Sequence, residues 1–175
     1  MRTRYKIVDD NYAYFITSTV VEWIPIFTSE RYCNILIQTI KYYQLHNNLE
    51  VFAYVIMPEH FHIILRCKEL VKTVQLIKMY SAKQIIKELK ANNNYSILEK
   101  LSLNKKEYKT NSDYQVWQEG YHPQVILNEK VYEQKVNYIH NNPVKRGLVE
   151  EITDWKYSSA GFFLKGKESL IEIFT

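Results

Sequence analysis

The sequence predicts an α+β fold in which one antiparallel sheet carries helices packed against it. Three observations lead there. Short runs rich in β-branched and aromatic residues alternate with longer segments of helical apolar spacing. Their order is strand, helix, two strands, helix, strand, helix. The two middle strands are parted only by Pro58-Glu59, a gap that suits a hairpin and is too short for a parallel crossover. At 175 residues with 46% apolar and 24% charged side chains, the chain has ordinary globular proportions for a single domain over 1–175.

Residues 12–22 (YAYFITSTVVE) are β-branched and aromatic and read as the first strand. Thr28 or Ser29 can cap a helix that Glu30 favours through the dipole. Its stripe runs Tyr32, Ile35, Leu36, Ile40, Tyr43, and Asn47-Asn48 end it. Residues 51–57 are apolar on both faces and read as a central strand covered by helices. Phe61 to Leu65 form its hairpin partner. A helix follows from about Val71 to Lys90, with Val74, Ile77, Ile85 and Leu89 on one side and Lys72, Lys78, Lys83 and Lys87 on the other. The polar, Asn/Lys-rich stretch 91–113 reads as a loop or mobile insertion. The chain is extended again around Tyr114–Trp117 and Val125–Leu127. Asn128 caps a further helix running to about Asn141, where Pro143 forces an end. A tail from about 148, with Trp155 and Tyr157, packs back on the domain.

Composition narrows the function classes. No apolar run approaches the roughly 18–20 residues that span a bilayer, and Met1 to Tyr5 lack the apolar stretch of a signal peptide behind them. Cys33 and Cys67 stand alone, without metal-type spacing or a disulfide framework. A reducing cytoplasm is the expected location. The net charge of +4 is compatible with an anionic partner, and 15 tyrosines offer many faces that could stack on bases.

The sharpest local signal is His60-Phe61-His62 inside an apolar run. Residues two apart on a strand share a face, so both imidazoles point together. Burying two such rings without partners would cost free energy, which favours a divalent-cation site. A cation with two imidazole ligands and open positions can polarise a phosphoryl oxygen. It then needs a nucleophile, and the last helix offers Tyr132 and Tyr138, whose phenols could attack a phosphodiester. Gln134 and Asn142 are the i±4 neighbours of Tyr138, and either amide oxygen could complete the cation's shell. His140 lies about 200° around the helix from Tyr138, so one face cannot present both. His122 falls in a turn and His46 at a helix end, neither with a partner nearby in sequence. For DNA the candidates are Lys78, Lys83 and Lys87 on one helix face and Lys145-Arg146 just beyond the nucleophile's helix. Such contacts would position a backbone without reading its sequence.

The stretch YVIMPEHFHIIL (54–65) closely resembles the HUH signature (His, bulky hydrophobe, His) of single-tyrosine transposases. The stretch YIHNNPVKRGLV (138–149) resembles the helix motif of their REP-associated tyrosine transposase branch, as do WQEGY (117–121) and WKYSS (155–159). The similarity runs from about Tyr12 to Ser159 with the motifs in the family's order. It implies a ferredoxin- or RRM-like sheet of HUH-nuclease type. It also implies an endonuclease and strand-transferase that joins a tyrosine to the 5′-phosphate of single-stranded DNA at hairpin-associated sites. By position the nucleophile is Tyr138 and the metal ligands are His60 and His62, with Mg²⁺ or Mn²⁺ as cofactor. Insertion-sequence members carry a glutamine ligand one turn after the tyrosine. That position here is Asn142, one methylene shorter and directly before Pro143, with Gln134 and His140 as alternatives. The expected partner is single-stranded or hairpin DNA, without a membrane. The chain would work as monomer or homodimer, in the cytoplasm and on the nucleoid when bound to DNA. A domesticated DNA-hairpin-binding protein that no longer cuts is the alternative, favoured by Asn142. A zinc hydrolase of small substrates lacks a third ligand.

Overall fold

The computed structural model describes residues 9–108 and 110–175. The amino-terminal stretch in which no leader is expected lies outside them. The elements are β1 (Tyr14–Thr19), α1 (Glu30–Asn47), β2 (Glu50–Met57), β3 (His60–Arg66), α2 (Leu70–Ala91), α3 (Tyr95–Leu103), β4 (Gln124–Val125), α4 (Glu129–Lys145) and α5 (Ala160–Lys165). The strands form one sheet in the order β2-β3-β1-β4, and every pairing is antiparallel. The α+β sandwich expected from the sequence is what forms. Among the described residues no helix is long and apolar enough to cross a membrane.

Strand alternation sorts the sheet into two apolar faces. Tyr14, Ile16, Tyr54, Ile56, Phe61, Ile63 and Leu65 join α1 and α2 in the larger core, through Leu36, Ile40, Val74, Ile77 and Leu89. Phe15, Ala53, Val55, Met57 and Ile64 point the other way and meet Ile139 of α4, flanked by Tyr132, Val136 and Trp155. The even-numbered positions of β3 therefore face α4, and with them go His60 and His62.

Four expectations need correction. β2 is an edge strand and not a central one. It is apolar on both faces because helices lie above and below it, and its free edge is occupied by the carboxy-terminal segment. Ile56 N–H donates to Tyr157 O at 2.9 Å, Ser159 N–H to Tyr54 O at 3.0 Å, and Phe174 N–H to Val51 O at 2.8 Å. Such cover removes an open edge that could pair with another chain. Second, residues 91–113 are not all loop: α3 forms there and buries Leu98 and Leu101. Third, α4 runs through Pro143 to Lys145. The proline removes one donor near the helix end, where few hydrogen bonds remain to lose, and its ring is buried. Fourth, Ser29 occupies the N-cap of α1 without a side-chain bond, and Thr28 Oγ1 donates to Pro25 O instead.

Candidate active site

His60 and His62 stand at the start of β3, opposite Thr19 and Thr17 of β1 and Met57 and Val55 of β2. Both are about 4% exposed. Their Nε2 atoms face each other at 3.1 Å. That is a hydrogen-bond length between neutral rings, and it also matches adjacent octahedral ligands about 2.1 Å from one ion. Burial holds both rings below the ordinary histidine range. For His62, burial together with the charges of His60 and Lys135 pushes the value down to about 3. His60 is lowered by burial against the opposing pull of Glu59. Neutral imidazoles are the form that ligates metal.

The outer ring nitrogens are held as well. Thr17 Oγ1 lies 2.7 Å from His62 Nδ1. Glu59 Oε1 lies 3.1 Å from His60 Nδ1 and accepts from Arg146 Nη1 at 2.7 Å. A carboxylate only accepts, so His60 Nδ1 carries the proton and its Nε2 lone pair faces the cleft. Glu59 is 4% exposed, and a charge so buried needs both partners. The sequence points to a strand break at Glu59, whose place in a turn argues against a general base, and to a DNA-backbone contact at Arg146. The guanidinium in fact ties the end of α4 to the β2–β3 turn while still lining the cleft.

Tyr138 reaches this site. Its ring meets His62 edge-on at 5.1 Å between centroids and Phe15 at 5.8 Å. It is 43% exposed, so its phenol is open to a substrate. Asn142 lines the same cleft one turn on, as does Lys135 one turn back, whose Nζ sits 4.7 Å over Phe15. Burial lowers the Lys135 pKa. Gln134 is exposed and outside the cleft. Helix geometry explains the division: seen from Tyr138, Asn142 and Lys135 lie about 40° and 60° to one side, Gln134 about 40° to the other. His140 faces away, with Nε2 2.9 Å from Ser159 Oγ. Neither sequence alternative to Asn142 thus joins the histidines, and Tyr132 packs against the sheet.

The cleft encloses about 820 Å³. Its far wall is the segment from Gln118 to His122, pinned by Lys78 Nζ donating to Gln118 O and Gly120 O at 2.7 Å each. Trp117 Nε1 donates to Ser81 Oγ and Gln118 N–H to Thr19 O. Lys78, a sequence candidate for DNA contact, is thus a latch for the wall. His122 and Gln124 line the cleft although the sequence offered no local partner for His122. Lys83 lines a second groove, while Lys87 and Lys145 are exposed away from both. Among the described residues no three His, Cys, Asp or Glu side chains form a metal cluster. Buried Cys33 and Cys67 are raised to about 12 and about 11 by burial, which makes them poor nucleophiles.

No family model matches the chain. It is 28% identical over 118 residues to the "Putative REP-associated tyrosine transposase" of Haemophilus influenzae, a match spanning 65% of this chain and 60% of that protein. It is 41% identical over 44 residues to the REP-associated tyrosine transposase of Escherichia coli, covering 25% of this chain and 27% of that one. The matches thus cover less than two thirds of these relatives. The structure of a REP-associated tyrosine transposase bound to a REP hairpin superposes with a TM-score of 0.70 at 20% identity, covering 100% of this chain and 93% of that one. The resemblance read from the motifs holds: the chain is similar in sequence to proteins of the REP-associated tyrosine transposase branch and shares their fold.

Proposed function

We propose that this protein is a metal-dependent endonuclease and strand-transferase for single-stranded DNA at hairpin-associated sites, working through Tyr138. The observation that carries the reading is the meeting of Tyr138 with His62 in one open cleft, beside a histidine pair whose Nε2 atoms converge. Relatives named as transposases support the DNA substrate, and a fold neighbour bound to a hairpin supports the hairpin.

His60, His62 and Asn142 would hold Mg²⁺ or Mn²⁺, with open positions left for water or a phosphate oxygen. When bound, that ion supplies Lewis-acid polarisation of the phosphoryl group. The chain's own residues do the rest. Glu59 and Thr17 fix the two rings so that little reorganisation is needed. The Tyr138 oxygen attacks phosphorus as its proton leaves, and the bond to the 3′-oxygen breaks. The 5′-phosphate stays on the tyrosine, and the 3′-oxygen departs and takes up a proton. Lys135, on the same helix face, places a cation beside the developing charge. The covalent bond preserves the energy of the phosphodiester, so a second 3′-hydroxyl can rejoin the strand without ATP.

The test is a hairpin oligonucleotide with a single-stranded flank, incubated with the protein and Mn²⁺. A denaturant-resistant protein–DNA adduct forms, and Tyr138→Phe abolishes it while leaving DNA binding near wild type. An adduct that persists in Tyr138→Phe rules out this nucleophile. Tight hairpin binding without any cleavage by the wild type would instead favour a domesticated binding protein, the reading to which the short Asn142 side chain points.

A further inference from the structure

We propose that Trp23 is a base-stacking platform at this cleft, taking one unpaired nucleobase of single-stranded DNA beside the reacting phosphate. The inference rests on the DNA-processing reading above and adds a binding subsite to it. Trp23 lines the cleft, and its ring stands edge-on to His60 at 5.7 Å and 72°. It is 57% exposed, so much of one of the protein's three tryptophan side chains is left to solvent beside the histidine pair.

The backbone beneath it is unusual. Glu22 and Trp23 both adopt left-handed conformations, φ +49° and +54°, in a 3₁₀ turn with no glycine. Side-chain-bearing residues persist there only when their surroundings impose it. The surroundings do so here. Val20 N–H donates to Glu59 O at 2.8 Å, Val21 N–H to Val116 O at 2.9 Å, and Ile24 N–H to Val21 O at 3.2 Å. Val21 and Ile24 are buried on either side at 5% and 6% exposure. The turn is thus bolted to the histidine turn on one side and, through Val116, to the segment that leads into the cleft wall on the other, and the indole stays exposed. The same turn that sends Val21 and Ile24 into the core sends Trp23 out to the cleft.

An exposed, fixed aromatic face suits a nucleobase, since every base has a π-face and an unpaired base leaves both of its own free. Lys135 and Arg146 line the same cleft and bring cations to it for the phosphates of such a strand. Sequence readout would then fall to the polar wall, where Gln118 and Gln124 face the cleft.

Binding of a short single-stranded oligonucleotide to the whole chain, measured by fluorescence anisotropy with chelator present so that no cleavage occurs, tests this. Trp23→Ala and Trp23→Leu each weaken binding about tenfold, and Trp23→Phe stays within about threefold. Leu keeps the bulk over His60 and lacks the π-face, so it separates stacking from mere cover. An abasic site walked along the oligonucleotide finds one position that costs the wild type about tenfold and costs Trp23→Leu almost nothing more. Wild-type affinity in Trp23→Leu, or an abasic penalty at every position equal to that of the wild type, overturns the subsite while leaving the nuclease reading intact. A wild type that binds no oligonucleotide sinks the DNA-processing reading itself.

Discussion

Glu59 carries a job that its neighbours in sequence do not reveal. Its carboxylate sets the His60 tautomer and neutralises Arg146 from 87 positions away, so its importance is written in the fold. Replacing it by glutamine keeps the size and removes the charge. The amide can then present an N–H to His60 Nδ1, which moves the ring proton to Nε2 and leaves that atom no lone pair for the cleft. On the proposed metal site, Glu59→Gln is expected to weaken Mn²⁺ binding about 10–100-fold, read by titration calorimetry or by the Mn²⁺ resonance in solution, with thermal stability changed far less. Unchanged Mn²⁺ affinity would remove Glu59 from the site. The histidine pair itself was legible from alternation along a strand, because H-x-H in an apolar run has one geometric meaning. Trp23, Thr17 and Lys135 were not, because each acquires its place from a partner far along the chain.

Among the elements, α4 does most to assemble the site, and its two faces do different things. One face presents Lys135, Tyr138 and Asn142 to the cleft. The opposite side is locked to β2 through His140, whose Nε2 meets Ser159 Oγ at 2.9 Å while Ser159 also accepts from Tyr54 N–H at 3.0 Å. Burial pushes His140 down to about 4, from 6.5 in an unperturbed chain. The native state therefore binds this proton late and the unfolded state early. Stability tied to the neutral ring is whole above pH 6.5 and drains as pH falls towards 4, by at most about 1.4 kcal/mol per pH unit. His140→Gln is expected to show a flatter fall in urea midpoint between neutral pH and about pH 5, a difference of close to one proton. An unaltered slope would mean that this ring titrates normally. α3 makes a second test at this scale. Its segment is polar and rich in Asn and Lys, which hid two leucines at helical spacing. Since Leu101 is fully buried, Leu101→Ala should cost about 2–5 kcal/mol in denaturant unfolding, whereas a mobile loop would lose nothing. The reach of α4 past Pro143 escaped sequence reasoning for a related reason: a proline near a helix end costs little, and its burial outweighs a missing donor.

Across the whole molecule, the sheet separates labour between its faces. One face, under α1 and α2, is apolar apart from the buried Ser18, while the other gives part of its area to α4 and leaves the rest open as the cleft. Sequence periodicity conveyed that two-sided burial but not strand order, since β2 looks central when a returning tail covers its edge. The same layout bears on where DNA runs. The cleft shares Gln118, Glu119 and Gly120 with a second groove of about 810 Å³, lined by Lys78, Lys83, Lys90 and Tyr114. Lys90 Nζ lies 5.0 Å over the Tyr114 ring, leaving cation and aromatic side by side. A strand leaving the cleft over the 118–120 wall would pass Lys83, whereas Lys87 sits one turn along α2 and outside the groove. On the proposed DNA function, Lys83→Gln should lower the slope of log affinity against log salt for a single-stranded oligonucleotide by about 0.7–1, the loss of one phosphate contact. Lys87→Gln should leave that slope unchanged, although the two lysines carry the same charge on the same helix. Equal losses from both would put the strand across the outer face of α2, as the bare helical spacing of those lysines had suggested. A slope altered by neither would confine the DNA to the cleft, where Lys135 and Arg146 would have to account for the salt dependence.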